Sequence, residues 1–291
     1  MVPNAVNPFG EVQTPLVHSL NETEFNRIAQ IAESDFGLYI EPSKRAIVQA
    51  RLNRRLQELG LVNFSEYCSI LEQGGLPERR RFISAITTNV THFFREAHHF
   101  DHFRCDVLPR LKERAHAGDR IRLWSCGCST GAEPFSLVSC VIDGFPSAGK
   151  FDFKVLATDL DEDVLEQAIL GEVPHNQAAS LTQPQMHRIF ENNASKTNTL
   201  KIKQQIKDLI TFAPLNIVDE FPMSGQFDVI FCRNVLIYFE PEMQKGIWQK
   251  FADKTNDKGI LYIGHSERII GEASLSYDQI GTTIYSRRSR Q

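Results

Sequence analysis

The chain has 291 residues, 42% apolar and 23% charged, which suits one large domain or a large and a small one and is not the composition of a disordered tail. Its 32 basic and 36 acidic residues leave a net charge of −4, which argues against a surface built throughout for nucleic acid. The six cysteines, at 68, 105, 126, 128, 140 and 232, form no CxxC pair, so neither a disulfide framework nor a zinc framework is expected.

The opening stretch, MVPNAVNPFGEVQTP, lacks the basic start and apolar core of a secretory signal, and no apolar run approaches the roughly 20 residues that span a bilayer. A cytoplasmic protein without membrane insertion is expected, with a flexible segment over 1–19. Residues 20–86 carry a helical pattern broken at Gly37, at 41–42, at Gly60 and at 74–77, and read as a small helical domain. Within it, residues 42–56 hold Lys44, Arg45, Arg51, Arg54 and Arg55 and no acid. At helical spacing Lys44, Arg51 and Arg55 share a stripe beside the apolar Val48, Leu52, Leu56 and Leu59. Lys44, Arg51, Arg54 and Arg55 are therefore candidates for docking an acidic partner, the alternative being an ordinary solvated face.

Residues 87–118 read as a linker, TTNVTHFFREAHHFDHF, that feeds a helix reaching to about His116. Asn89, Thr91, Arg95 and Glu96 crowd there around Phe93 and Phe94, whose rings suit either a contact with a sulfonium or a plug in the seam between domains. His98 and His102 stand one helical turn apart, but with no third ligand in view no metal site is expected.

From 119 to 288 short apolar runs alternate with helical ones: IRLWS, FKVLATD, LITFAPL, FDVIFCR, GILYIGH and TTIYSRR. Such alternation means βαβ units on a mostly parallel sheet, an α/β domain. The polar stretch 171–210 interrupts it, with Pro174, Pro184 and an alternating end, LKIKQQIKDLITF, and reads as an inserted subdomain of helices and a hairpin whose tip is ENNASKTNT.

Three segments carry chemistry. IRLWSCGCSTGAEPFS, at 121–136, runs from a strand through Gly127 and Gly131 into a helix, a turn that lets backbone approach a nucleotide-like ligand. It is neither GxGxxG nor a GK[ST] phosphate loop. Asp159 closes FKVLATD, where a carboxylate at the end of a second strand meets the two hydroxyls of a ribose; Asp161 competes for that role, and either also suits a helix cap. FDVIFCRNVLIYFE, at 227–240, delivers Arg233 and Asn234 to the carboxyl edge of a buried strand, with Tyr238 beyond, although a helix cap with a buried Tyr would look similar.

In this order, TTNVTHFFREAHHF, WSCGCSTGAEPFS, ATDLD, FDVIFCRNVLIYF and GHSE resemble the chemotaxis receptor glutamate methyltransferase family. The resemblance implies a small all-α domain before a Rossmann-like domain that binds S-adenosylmethionine (SAM), with an inserted antiparallel β subdomain. It places cofactor contacts on Asn89, Thr91, Arg95, Glu133, Asp159, Asn216, Ile217, Arg233 and Asn234, and sets Arg95 and Tyr238 near the reacting carboxylate. It further implies S-adenosylhomocysteine as product, methyl esters on glutamates of the cytoplasmic helical region of chemoreceptors, a receptor carboxyl-terminal peptide at the inserted subdomain, a monomer, and no nucleic acid partner. The chain departs from the pattern at Ala132, where the family usually has a Glu before Glu133, at Cys126 in place of a smaller residue, and at Phe135 in place of Tyr. Other readings of the same residues are a SAM-binding sensor or adaptor without transfer and a nucleic acid methyltransferase. A nicotinamide oxidoreductase is disfavoured by the missing GxGxxG.

Overall fold

The computed structural model describes residues 18–192 and 198–289. The segment 1–19 therefore lies almost wholly outside the described residues, and so does most of the ENNASKTNT tip.

Four helices form the first unit: α1 (Glu22–Phe36), α2 (Arg45–Leu59), α3 (Phe64–Gln73) and α4 (Leu76–Ile86). Asn21 starts α1 with a reciprocal cap, its side chain accepting from Glu24 N at 2.9 Å while the Glu24 carboxylate accepts from Asn21 N at 3.1 Å. The left-handed backbone of Gly37 (φ 74°) ends α1. A Cβ there would sit 2.7 Å from Val218 Cγ1, because this turn lies against the larger unit. The apolar stripes of these helices, with Phe25, Ile28, Leu52, Leu56, Phe64 and Phe82, run without a break into Trp124, Ile230, Trp248 and Phe251 on one face of the sheet. The helical unit thus completes a core that it shares with the sheet. Arg80 and Arg81 of α4 pair with Glu162 and Asp163, each at 2.7 Å.

After the linker, α5 (Ala97–His102) and α6 (Leu108–His116) are joined by a π-turn. The sheet follows: β1 (Ile121–Cys126), β2 (Phe153–Asp159), β5 (Ile210–Pro214), β6 (Phe227–Cys232), β7 (Thr255–Ile263), β8 (Tyr277–Gly281) and β9 (Ile284–Arg287), in the spatial order β5-β2-β1-β6-β7-β9-β8. The first five in that order are parallel, and β9 and β8 close the edge antiparallel. Helices α7 (Ala132–Gly144), α8 (Glu162–Leu170) and α11 (Pro241–Lys254) are the crossovers. Phe100, Phe103, Phe135 and Phe153 fill a second core on the opposite face from Trp248. Because β1 pairs with β2 on one side and with β6 on the other, the strand order reverses between β1 and β6, and a crevice opens at their carboxyl ends.

The inserted region holds helices and an antiparallel pairing on either side of the ENNASKTNT segment, as expected: Phe190 bridges Ile202, with Glu191 N donating to Lys201 O and Lys203 N to Ile189 O, both at 2.9 Å. Strands β3 (Glu172–Pro174) and β4 (Thr199–Lys201) also pair antiparallel, but α9 (Gln183–Ile189) lies between them, so they are not one tight hairpin. The stretch LKIKQQIKDLITF is not one alternating strand either: α10 (Gln204–Lys207) divides it, and the buried Ile202, Ile206 and Leu209 follow helical spacing into the second core.

Candidate functional site

The crevice holds a cavity of about 430 Å³. Its floor is the turn after β1. Gly127 takes φ 71°, and a Cβ would meet Val235 Cγ2 at 2.3 Å, so only glycine fits there. Gly127 N and Cys128 N both donate to Thr158 O, at 2.8 and 2.9 Å, which ties the turn to the end of β2. Ser129, with a positive φ of 48°, donates its N–H to Asp159 Oδ2 at 2.7 Å and its hydroxyl to Asn89 O at 3.1 Å.

Asp159 faces the cavity and also accepts from Asp161 N at 3.0 Å. Burial pushes its carboxyl up to about 6, against the pull of these backbone N–H groups. Asp161 is the cap instead: it accepts from Asp163 N at 3.0 Å and from Asn89 Nδ2 at 2.7 Å. Of the two aspartates, Asp159 lines the cavity and Asp161 does not.

The opposite wall is the turn after β6. Arg233 is buried; its Nη1 bonds Glu133 Oε2 at 3.1 Å, its Nη2 donates to Arg95 O, and Glu96 Oε2 lies 3.5 Å away. Glu133 also accepts from Ser125 Oγ at 2.7 Å, and burial raises its carboxyl above the ordinary range. Asn234, at φ 60°, has a buried Oδ1 with no hydrogen-bond partner among the described residues. Glu267 holds this turn in place. Its Oε2 accepts from Asn234 N (2.8 Å) and Gly264 N (2.6 Å), and its Oε1 from Val235 N and Leu236 N (both 2.8 Å).

The roof comes from the linker and the helical unit. Leu38, residues 87–92 and Arg95 line the cavity from above, and Tyr39 N donates to Tyr238 O at 2.9 Å. Two of the positive-φ residues that are not glycine, Ser129 and Asn234, line this space. Backbone strain of that kind persists where the surroundings over-determine it, as at ligand clamps.

All nine residues expected to contact a cofactor line the cavity, and so does Tyr238. The linker aromatics do not. Phe93 packs edge-on to Phe190 at 5.6 Å and Phe94 to Phe100 at 5.3 Å, both in the second core and away from the helical unit, so neither the sulfonium contact nor the plug between domains is what these rings do. The basic residues of α2 are not equally free. Arg55 pairs with Glu78 at 2.5 Å and with Glu58 at 2.9 Å, while Arg51 donates to the backbone carbonyls of Ile86 and Thr87; Arg54, with a side chain 87% exposed and Glu58 at 3.1 Å, still points outward, and Lys44 is half-buried. Among the histidines, His102 turns to Tyr262 Oη at 2.8 Å rather than toward His98. Glu96, His98 and His99 come together instead, but Arg233 lies 3.5 Å from Glu96, and burial, with that guanidinium, holds His99 far below its ordinary range.

Two family descriptions match the chain: "CheR methyltransferase, all-alpha domain" over residues 23–87 and "CheR methyltransferase, SAM binding domain" over residues 89–286. The chain belongs to the CheR methyltransferase family. A probable chemotaxis protein methyltransferase of Rhizobium etli is 42% identical over 255 residues, spanning 87% of this chain and 95% of that relative. The chemotaxis protein methyltransferase of Escherichia coli is 36% identical over 273 residues, 92% of each chain, and that of Borreliella burgdorferi 35% over 265 residues, 89% and 93%. SAM-dependent methylation in chemotaxis is the activity these descriptions carry. No helix among the described residues is long and apolar enough to cross a membrane.

Several parts of this CheR cavity are absent from the sequence-derived set. Glu267 sits inside the GHSE motif, yet nothing in the spacing tells that its carboxylate reaches back to the turn after β6. Gly264 opens the same motif, and the spacing tells as little of why it is glycine: a Cβ there would lie 2.8 Å from both Asn234 N and Glu267 Oε2. Leu38 and Ser129 were visible only as an apolar residue and a turn residue.

Proposed function

We propose that this CheR family member is a cytoplasmic protein-glutamate O-methyltransferase that esterifies glutamates in the helical region of chemoreceptors, with SAM held in the cavity between β1 and β6. The observation that carries the reading is the pairing, in one largely apolar cavity, of a carboxylate at the end of β2 with a side-chain carbonyl oxygen after β6 that has no partner among the described residues. The residues fit the cofactor. Asp159 would accept from the ribose hydroxyls, Asn234 Oδ1 from the ammonium of the methionine part, and Asn216 and Ile217 would flank the adenine. Glu133 and Arg233, paired to each other, set the charge of the wall between them.

When bound, SAM supplies a methyl group on a cationic sulfur. Transfer to a carboxylate cancels opposite charges, so exclusion of water favours it and little acid or base help is needed. Leu38, Leu160, Leu215, Ile217 and Phe239 supply the apolar walls. A glutamate with a reference pKa near 4.3 arrives ionised, and the protein's task is orientation. Arg95, whose Nη1 donates to Val90 O at 3.3 Å, and Tyr238 would hold the incoming carboxylate from the two sides of the opening.

Two outcomes test this. Labelled methyl transferred to chemoreceptor-containing membranes should be released as methanol in base; a label resistant to base would point to N- or C-methylation and overturn the ester assignment. Arg95→Ala should lower kcat with receptor substrate by about 100-fold, the order expected for a charge-assisted contact made to the reacting group. Unchanged turnover would remove Arg95 from the mechanism.

A further inference from the structure

At helical spacing Arg51 belongs to the docking stripe of α2, but its guanidinium is turned inward. Nη1 donates to Ile86 O at 2.6 Å and to Thr87 O at 3.2 Å, and Nη2 donates to Thr88 Oγ1 at 2.7 Å. Ile86 is the last residue of α4 and Thr87 its cap, so the cation sits on the carbonyl end of that helix, where the backbone dipole favours it. The next residues, Thr87, Thr88 and Asn89, line the cavity.

We infer that Arg51 is a positioning residue for the cofactor loop, holding residues 87–89 over the cavity, and not a contact for the acidic substrate. The inference rests on the cavity being the SAM site. From the far side the same loop is pinned by Asn89 Nδ2 on Asp161 Oδ2 at 2.7 Å and by Ser129 Oγ on Asn89 O at 3.1 Å, and Ser129 N in turn bonds Asp159. A continuous set of hydrogen bonds therefore runs from the middle of α2 through the loop to the carboxylate at the end of β2. For Arg51 to reach an acidic partner it would have to leave three acceptors, two of them carbonyls at a helix end. Arg54 differs in kind: its side chain is 87% exposed and pairs with Glu58 on its own helix, which keeps it available to a partner.

The two roles separate cleanly, since positioning acts on the cofactor without receptor present and docking acts on the receptor alone. Calorimetry of the full chain with S-adenosylhomocysteine, in the absence of receptor, should show Kd raised about tenfold by Arg51→Ala and by less in Arg51→Lys, which keeps one donor. The KM for receptor membranes at saturating SAM should stay near the wild-type value in both, whereas Arg54→Ala should raise that KM and leave the Kd for S-adenosylhomocysteine unmoved. Should Arg51→Ala fail to fold, Arg51→Lys carries the test. Wild-type Kd in a folded Arg51 variant, with the receptor KM raised, would overturn the inference and return Arg51 to the docking face. No heat with the wild-type chain would instead overturn the cavity as the SAM site, before any variant is compared.

Discussion

Asp159→Asn should weaken binding of S-adenosylhomocysteine by about 100-fold, the loss of a charge-assisted acceptor for two hydroxyl donors at roughly 1.5 kcal/mol each. The amide cannot reproduce the site. Ser129 N and Asp161 N donate to separate oxygens of the carboxylate, so an Asn amide sets its NH2 against one of them whichever way it turns. The same carboxyl makes binding depend on pH. Its value in the folded chain, about 6, lies above the unfolded reference near 3.9, so between those two values the empty folded chain keeps a proton that the unfolded chain has released. Stability from this group is thus greatest below pH ~4 and declines as pH rises through about 6. Ribose hydroxyls donate to the ionised form, and affinity should move the other way, falling about tenfold from pH 7 to pH 5. Calorimetry across that range on wild type and Asp159→Asn checks both parts: a flat wild-type profile, or a variant that binds as tightly, would remove Asp159 as the ribose acceptor.

How much of this site could be read from the chain depends on whether a signal is local. The strand IRLWSC running into Gly127, and Asp159 at the end of FKVLATD, are legible because a buried parallel strand is a continuous apolar run and the residues that follow it emerge at the ligand edge. Strand β8 is not legible: only Tyr277 at its start is buried, so the pattern has no alternation to show, and antiparallel pairing with β9 makes it a strand. Pairings between distant residues leave no trace either. The spacing in α2 correctly gathers the arginines, but Glu78, 23 residues beyond Arg55, is what neutralises one of them, and the end of α4 is what takes Arg51. The same limit hides the fate of Phe93 and Phe94. A pair of rings beside polar residues suits a cation, and only the packing of the inserted subdomain and α5 shows that both rings are already occupied by Phe190 and Phe100.

Non-local support is also why Glu267→Gln should be among the most damaging single-atom changes in the chain. One carboxylate accepts four backbone N–H groups, two on each oxygen, from three consecutive residues after β6 and from Gly264 after β7. A glutamine has one acceptor oxygen. In either orientation its NH2 confronts two N–H donors, and with the residue only 6% exposed no water replaces the lost oxygen. Buried donors left unpaired cost about 1–3 kcal/mol each, which puts the variant about 3 kcal/mol or more below wild type and lowers Tm by roughly 5–10 °C. The damage reaches function because the turn it releases contains Asn234, whose φ of 60° is held by this carboxylate and whose Oδ1 faces the cofactor in the proposed arrangement. Saturating S-adenosylhomocysteine should therefore recover only part of the lost Tm, and the KM for SAM should rise while the receptor KM does not. Denaturant titration with and without ligand, together with steady-state kinetics, separates the two effects. A Glu267→Gln protein with wild-type Tm would show that the four amides do not depend on the charge, and one that is destabilised yet binds normally would confine Glu267 to the fold.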